Sequence, residues 1–136
     1  MRHRSFRLLQ YLVEVDSERV RSYLVRVASC FLRGFKAETI VMSGAVLDAA
    51  LQEAVNDEDV RSSEVRCGRY VSLGNRIEFL RLRGDWDEDT VQMAYKLANG
   101  RNNVIHTSLE SLISVEEALT VLVTLFKKID VIISTR

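Results

Sequence analysis

No proline occurs anywhere in the 136 residues. Proline is the residue that most firmly breaks a helix interior, and glycine, the next weakest helix former, falls mostly at the edges of amphipathic segments here. A chain so free of breakers favours helix before any periodicity is counted. At 47% hydrophobic residues it also has the ordinary proportion for one packed core.

The periodicity agrees. From about Ser17 to Arg33 the apolar residues Val20, Tyr23, Leu24, Val27 and Phe31 recur at helical spacing. Asp16 or Ser17 can cap that segment, Gly34 can end it, and Arg19, Arg26 and Arg33 lie on its outer side. A second helix, about Ala37 to Val55, presents Ile40, Gly44, Leu47, Leu51 and Ala54 on one side and Asp48, Gln52 and Glu53 on the other; Gly44, Ala45, Ala49 and Ala50 make it slim. The charged connector at 56–72 has no sustained period and is expected to be mobile or to hold a short helical turn.

A shorter helix is expected over Leu73 to Arg83, burying Leu73, Ile77 and Leu80 and ending at Gly84. The next starts near Glu88, with Asp87 as cap and Glu88 and Asp89 at the positive end of the helix dipole. The last starts after Ser114, with Glu117 placed for a capping box and Val115, Ala118, Leu122, Leu125, Ile129 and Ile132 inward; its β-branched tail DVIIST could fray. The expectation is an all-α, antiparallel up-and-down helical bundle of four main helices plus one or two short ones. It forms a single domain over 1–136, opened by a basic segment at 1–16.

Several function classes lose support. No apolar run reaches eighteen residues, and the apolar part after the basic start soon meets Glu14 and Asp16, so a cytoplasmic protein without a membrane span is expected. Cys30 and Cys67 form no Cys-x-x-Cys pair and there are two histidines, so neither a disulfide framework, a metal nor a cofactor is indicated. Net charge is zero, against adhesion to nucleic acid by the whole surface. Its distribution is uneven: residues 1–36 sum to +5, 37–60 to −6 and 61–83 to +4. Fifteen of the 19 basic residues are arginine, suited to forked contacts with phosphate or carboxylate; charge pairing across the bundle is the plainer account. Arg69, Arg76 and the head RHRSFR could line an RNA path, though solvated surface charge is the simpler account of each.

One stretch breaks the pattern: GRNNVIHTS, residues 100–108. On a wheel of about 100° per residue, Val91, Ala94, Tyr95, Ala98 and Ile105 form an apolar stripe that Met93, Leu97 and Val104 widen. Asn103 falls on the polar side, but Arg101 falls in the middle of the apolar arc, Asn102 inside its edge and His106 at its boundary. A guanidinium facing a core needs a partner, a cleft or an interface. One answer is an ion pair to Asp48 or Glu53. Another is chemical: an imidazole of reference pKa about 6.5 exchanges protons near neutral pH, and a nearby guanidinium holds a phosphate. Asn102, one turn before His106, can orient the ring or the phosphate. These are the parts for metal-free RNA cleavage by the ribose 2′-hydroxyl, with one histidine supplying half of the acid–base pair, so two copies across a two-fold axis would complete it.

RNNVIH resembles the Arg-(polar)-x-x-x-His signature of HEPN domains, named for higher eukaryotes and prokaryotes nucleotide-binding. FLRGFKAETIVMSGAVLDAALQEAV, LGNRIEFLRLRG and SVEEALTVLVTLFKKIDVII resemble, in order, the opening helix pair, middle helix and closing helix of bacterial members, so the likeness runs over about residues 17–134. It implies a helical bundle and a metal-independent endoribonuclease of toxin–antitoxin pairs, phage defence or RNA processing, dimerising so that two motifs line one cleft. Arg101 would bind the phosphate, Asn102 would be the polar residue after it, and His106 would transfer protons. RNA would be the substrate, a second copy and an antitoxin or operon product the partners. Ser108 stands where one toxin subgroup has a tyrosine modified by its antitoxin. Other HEPN members are non-catalytic interaction modules or nucleotide-binding subunits, and zero net charge suits that alternative.

Overall fold

A computed structural model describes residues 18–106 and 114–135, with backbone alone at Arg19 and at 100–106. These residues form six helices: α1 (Glu18–Leu32), α2 (Lys36–Ala54), α3 (Asp57–Arg61), α4 (Leu73–Arg83), α5 (Glu88–His106) and α6 (Val115–Ser134). No strand occurs among the described residues, and the fold is an all-α helical bundle.

The bundle is organised around α2, which packs against α1, α4, α5 and α6. The expected inward residues Ile40, Gly44, Leu47, Leu51 and Ala54 are all buried and Asp48, Gln52 and Glu53 are not, but the buried face is wider than the stripe alone, taking in Thr39, Ser43, Val46, Ala49 and Ala50 as well. Its small side chains let neighbours approach on several sides, and so a slim helix becomes the central one. The hydroxyls this buries are satisfied within the helix, Thr39 Oγ1 donating to the Phe35 carbonyl at 2.6 Å and Ser43 Oγ to that of Thr39 at 2.8 Å.

Helix ends follow local chemistry. Gly34, at φ +76°, turns the chain out of α1, and the Phe35 N–H bonds back to the Cys30 carbonyl at 2.9 Å. Ser72 and Asn75 form a reciprocal capping box on α4, which Gly84 ends in the left-handed region, as its position suggested. Asp87 Oδ1 accepts from both the Thr90 amide (2.9 Å) and the Thr90 hydroxyl (2.6 Å), capping α5; these bonds hold its carboxyl below the usual carboxylate range. At α6, Ser114 Oγ accepts from the Glu117 amide at 3.1 Å while the Glu117 carboxylate takes Lys96 Nζ of α5. The DVIIST tail stays helical to Ser134. Among the described residues no helix is long and apolar enough to cross a membrane.

The connector is more ordered than its composition suggests. Asn56 Oδ1 caps the short α3 by accepting from the Asp59 amide at 2.8 Å. Arg76, which surface charge seemed to explain, is 5% exposed. Its guanidinium donates to the Val55 carbonyl (3.2 Å) and the Val71 carbonyl (2.8 Å) and pairs with Asp57, so it ties the end of α2, the start of α3 and the entry to α4 together. A buried guanidinium is tolerable because three acceptors meet its fork.

Candidate functional site

Helices α4 and α5 form a hairpin joined by polar contacts. Tyr95 OH donates to Glu78 Oε1 at 2.5 Å, Arg81 lies 3.6 Å from Glu78 and 3.3 Å from Glu88, and Gln92 Nε2 donates to Glu88 at 2.9 Å. Burial, then the bond to Glu78 and the charge of that carboxylate, push the Tyr95 phenol up to about 12. Because 78 faces 95 while 81 faces 88, the pair runs antiparallel. Five residues on from Tyr95 and five back from Glu78, Gly100 is level with Leu73, where α4 begins. At about 1.5 Å per residue, positions 102 to 106 therefore extend about 3 to 9 Å beyond the first residue of α4.

The candidate motif stands on this extension. Helix α5 is unbroken from Glu88 to His106 and includes positions 101, 102 and 106. Among its described side chains, Thr90, Val91, Ala94 and Leu97 are the buried ones. At about 100° per residue, position 101 falls within the same 60° of arc as positions 90, 94 and 97, so its backbone register continues the buried stripe. Positions 102 and 106 fall about 20° to either side of the register of Tyr95, the residue that meets α4. The side chains of Arg101, Asn102 and His106 lie outside the described residues, as do Ser108 and the suggested pairing of Arg101 with Asp48 or Glu53.

The 62–72 loop leads into the start of α4 at this end of the hairpin. It is pinned at several points: Arg61 donates to the carbonyls of Gly68 (3.3 Å) and Arg69 (2.6 Å), Asn75 Nδ2 to that of Arg66 (3.2 Å), and Arg76 to that of Val71. Tyr70 is 77% exposed, with the Arg69 guanidinium 5.6 Å from its ring centroid. Composition marked the connector as charged but did not distinguish the arginines that build it from those it displays.

At the opposite end of α4 a cavity of about 200 Å³ opens between Asp59, Phe79, Arg83, Asp85 and Thr135. Its charges are largely spoken for: Arg83 lies over the Phe79 ring at 5.3 Å and its Nε is 3.3 Å from Asp85. Among the described residues no group of histidine, cysteine and carboxylate side chains could hold a metal ion, and Cys30 and Cys67 are not joined in a disulfide. No family model, curated protein or solved structure matches the chain.

Proposed function

We propose that the chain is a metal-independent endoribonuclease of the HEPN type, acting as a homodimer in a toxin–antitoxin or defence setting. The observation that carries this reading is the uninterrupted run of α5 to His106, with position 101 on the buried register and positions 102 and 106 one turn apart beyond the start of α4. In this chemistry the ribose 2′-oxygen attacks the adjacent phosphorus as the bond to the 5′-oxygen breaks, giving a 2′,3′-cyclic phosphate and a free 5′-hydroxyl. Arg101 holds the phosphate and the charge that builds on it, and Asn102 orients the imidazole or the phosphate. His106 performs one proton transfer, either from the 2′-hydroxyl or to the leaving oxygen; the second copy's motif supplies the other. Purified protein incubated with RNA and excess chelator should cleave it, and His106→Ala and Arg101→Ala should each abolish cleavage. Equal cleavage by all three proteins, or none by the wild type across varied substrates, overturns the proposal.

A non-catalytic HEPN-like dimerisation module or nucleotide-binding subunit is the second reading, favoured by the zero net charge. It predicts a stable dimer and no cleavage in the same experiment.

A further inference from the structure

We infer that the 62–72 loop is a binding platform for single-stranded RNA, with Tyr70 stacking an unpaired base and Arg66 and Arg69 holding the flanking phosphates. The inference rests on the ribonuclease reading for its substrate class, and on the structure for its residues.

The six arginines between 61 and 83 divide by what they touch. Arg61 builds the loop through its two carbonyl bonds, Arg76 is buried with Asp57, Arg81 bridges Glu78 and Glu88, and Arg83 pairs with Asp85. Arg66 and Arg69 remain, both exposed, and neither pairs with a carboxylate among the described residues. They stand on the same pinned loop as Tyr70, the most exposed of the large hydrophobic side chains described. With Arg69 over its ring, Tyr70 is still largely exposed. A base stacked there would meet a ring already polarised by a cation, the arrangement that single-strand binders use without reading sequence.

The connector carries acids as well: Asp57 is taken by Arg76 and Asp59 lines the cavity at the far end of α4, while Glu58 and Glu64 are exposed, so what sets the loop apart is its exposed ring with a cation over it rather than a surplus of positive charge. Position also matters. The loop enters α4 at the level of Gly100, and Tyr70 lies within about 11 Å, three residues of extended chain, of Leu73, the first residue of α4, beside which the backbone of α5 runs on to position 106.

The test measures binding apart from cleavage. With His106→Ala as the non-cleaving parent, the anisotropy of a labelled short single-stranded RNA of mixed sequence is followed, with its duplex form as control. Single strand should bind better than duplex. Adding Tyr70→Ala should weaken binding roughly 5- to 150-fold, the range for loss of one stacked base, while Tyr70→Phe restores it. Arg66→Ala and Arg69→Ala should each lower the slope of log affinity against log salt by about 0.7. Melting temperature should not move, since the loop's fastening bonds use backbone carbonyls of these residues.

Binding by Tyr70→Ala within about two-fold of the parent, indifference between strand and duplex, or no binding of single strands overturns the platform. If the wild type cleaves RNA with full dependence on His106 while Tyr70→Ala binds unchanged, the platform falls and the ribonuclease stands. If binding depends on Tyr70 and the wild type cleaves nothing, the platform stands and the ribonuclease falls.

Discussion

Removing the Arg76 guanidinium tests the reading that a single buried cation fastens the connector to the bundle. In Arg76→Ala the carbonyls of Val55 and Val71 lose their charged donors, and Val55 is a buried residue. Hydrogen bonds to charged groups contribute about 1.5–3 kcal/mol each, so two at the low end give about 3 kcal/mol. The Asp57 side chain is 60% exposed, and the ion pair therefore adds less than about 1 kcal/mol after solvent screening. The expected loss of about 3–4 kcal/mol is a large share of the roughly 5–15 kcal/mol that holds a domain together. At about 4 °C per kcal/mol for a domain of this size, it should lower Tm by roughly 12–16 °C.

Asp57→Asn should cost under about 1 kcal/mol, and Arg76→Lys about 2 kcal/mol, because one ammonium cannot reach three acceptors lying in different directions. Equilibrium urea unfolding reads these values through Trp86, the chain's sole tryptophan, 3% exposed at the α4–α5 turn. A change of midpoint at constant slope isolates stability. An Arg76→Ala cost below about 0.5 kcal/mol, or an Asp57→Asn cost equal to it, would refute the assignment of the energy to the carbonyl bonds.

Two glycines near α4 should respond with opposite sign. Gly84→Ala should destabilise by about 1–2 kcal/mol from torsion alone, because its φ of +75° excludes an L side chain without strain although the added methyl meets nothing within 4 Å. Gly74→Ala, inside the helix with Ser72 Oγ 3.7 Å from the added carbon, should stabilise by about 0.5–1 kcal/mol; thermal melts of the pair check both signs. For Tyr95 the folded protein holds the phenol at about 12 against an ordinary 10. The stability of wild type over Tyr95→Phe should thus be full below pH about 10 and fall as pH rises toward about 12. A difference that stays flat in alkaline urea titrations would contradict burial and the Glu78 contact as its joint source.

What could be read ahead of the structure was whatever is local. Helix α4 was expected over the residues it occupies because apolar spacing and Gly84 both act within a turn of the residues they define. The capping roles of Asp87 and Ser114 were visible for the same reason. Helix α2 was legible in its two faces but not in the width of its buried one, because alanine and serine carry little signal on a wheel and their burial is decided by which helices come close. Arg76 misled because its acceptors are carbonyls, which every residue has, and its carboxylate lies nineteen positions away. Arg101 stood out because an arginine interrupting an apolar stripe is a local contradiction, and the register of α5 continues that stripe to position 101.

The charge blocks need a different treatment from the net charge. A total of zero describes the field far from the molecule, but screening over about 10 Å at 0.1 M salt makes an approaching strand respond to its immediate neighbours. Within that range the acidic stretch 37–60 and the basic stretch 61–83 do not simply cancel. Arg76 and Asp57 neutralise each other across the boundary between them, and Arg83 turns to Asp85 at the far end of α4. These pairings consume charge selectively. They engage the cations that hold the fold and leave Arg66 and Arg69 exposed on the loop that carries Tyr70, with Arg69 over its ring. Zero net charge averages over the whole surface, and at this loop the balance that decides is Arg66 and Arg69 against the exposed Glu58, Asp59 and Glu64 of the same connector, which the salt dependence of RNA binding reads directly.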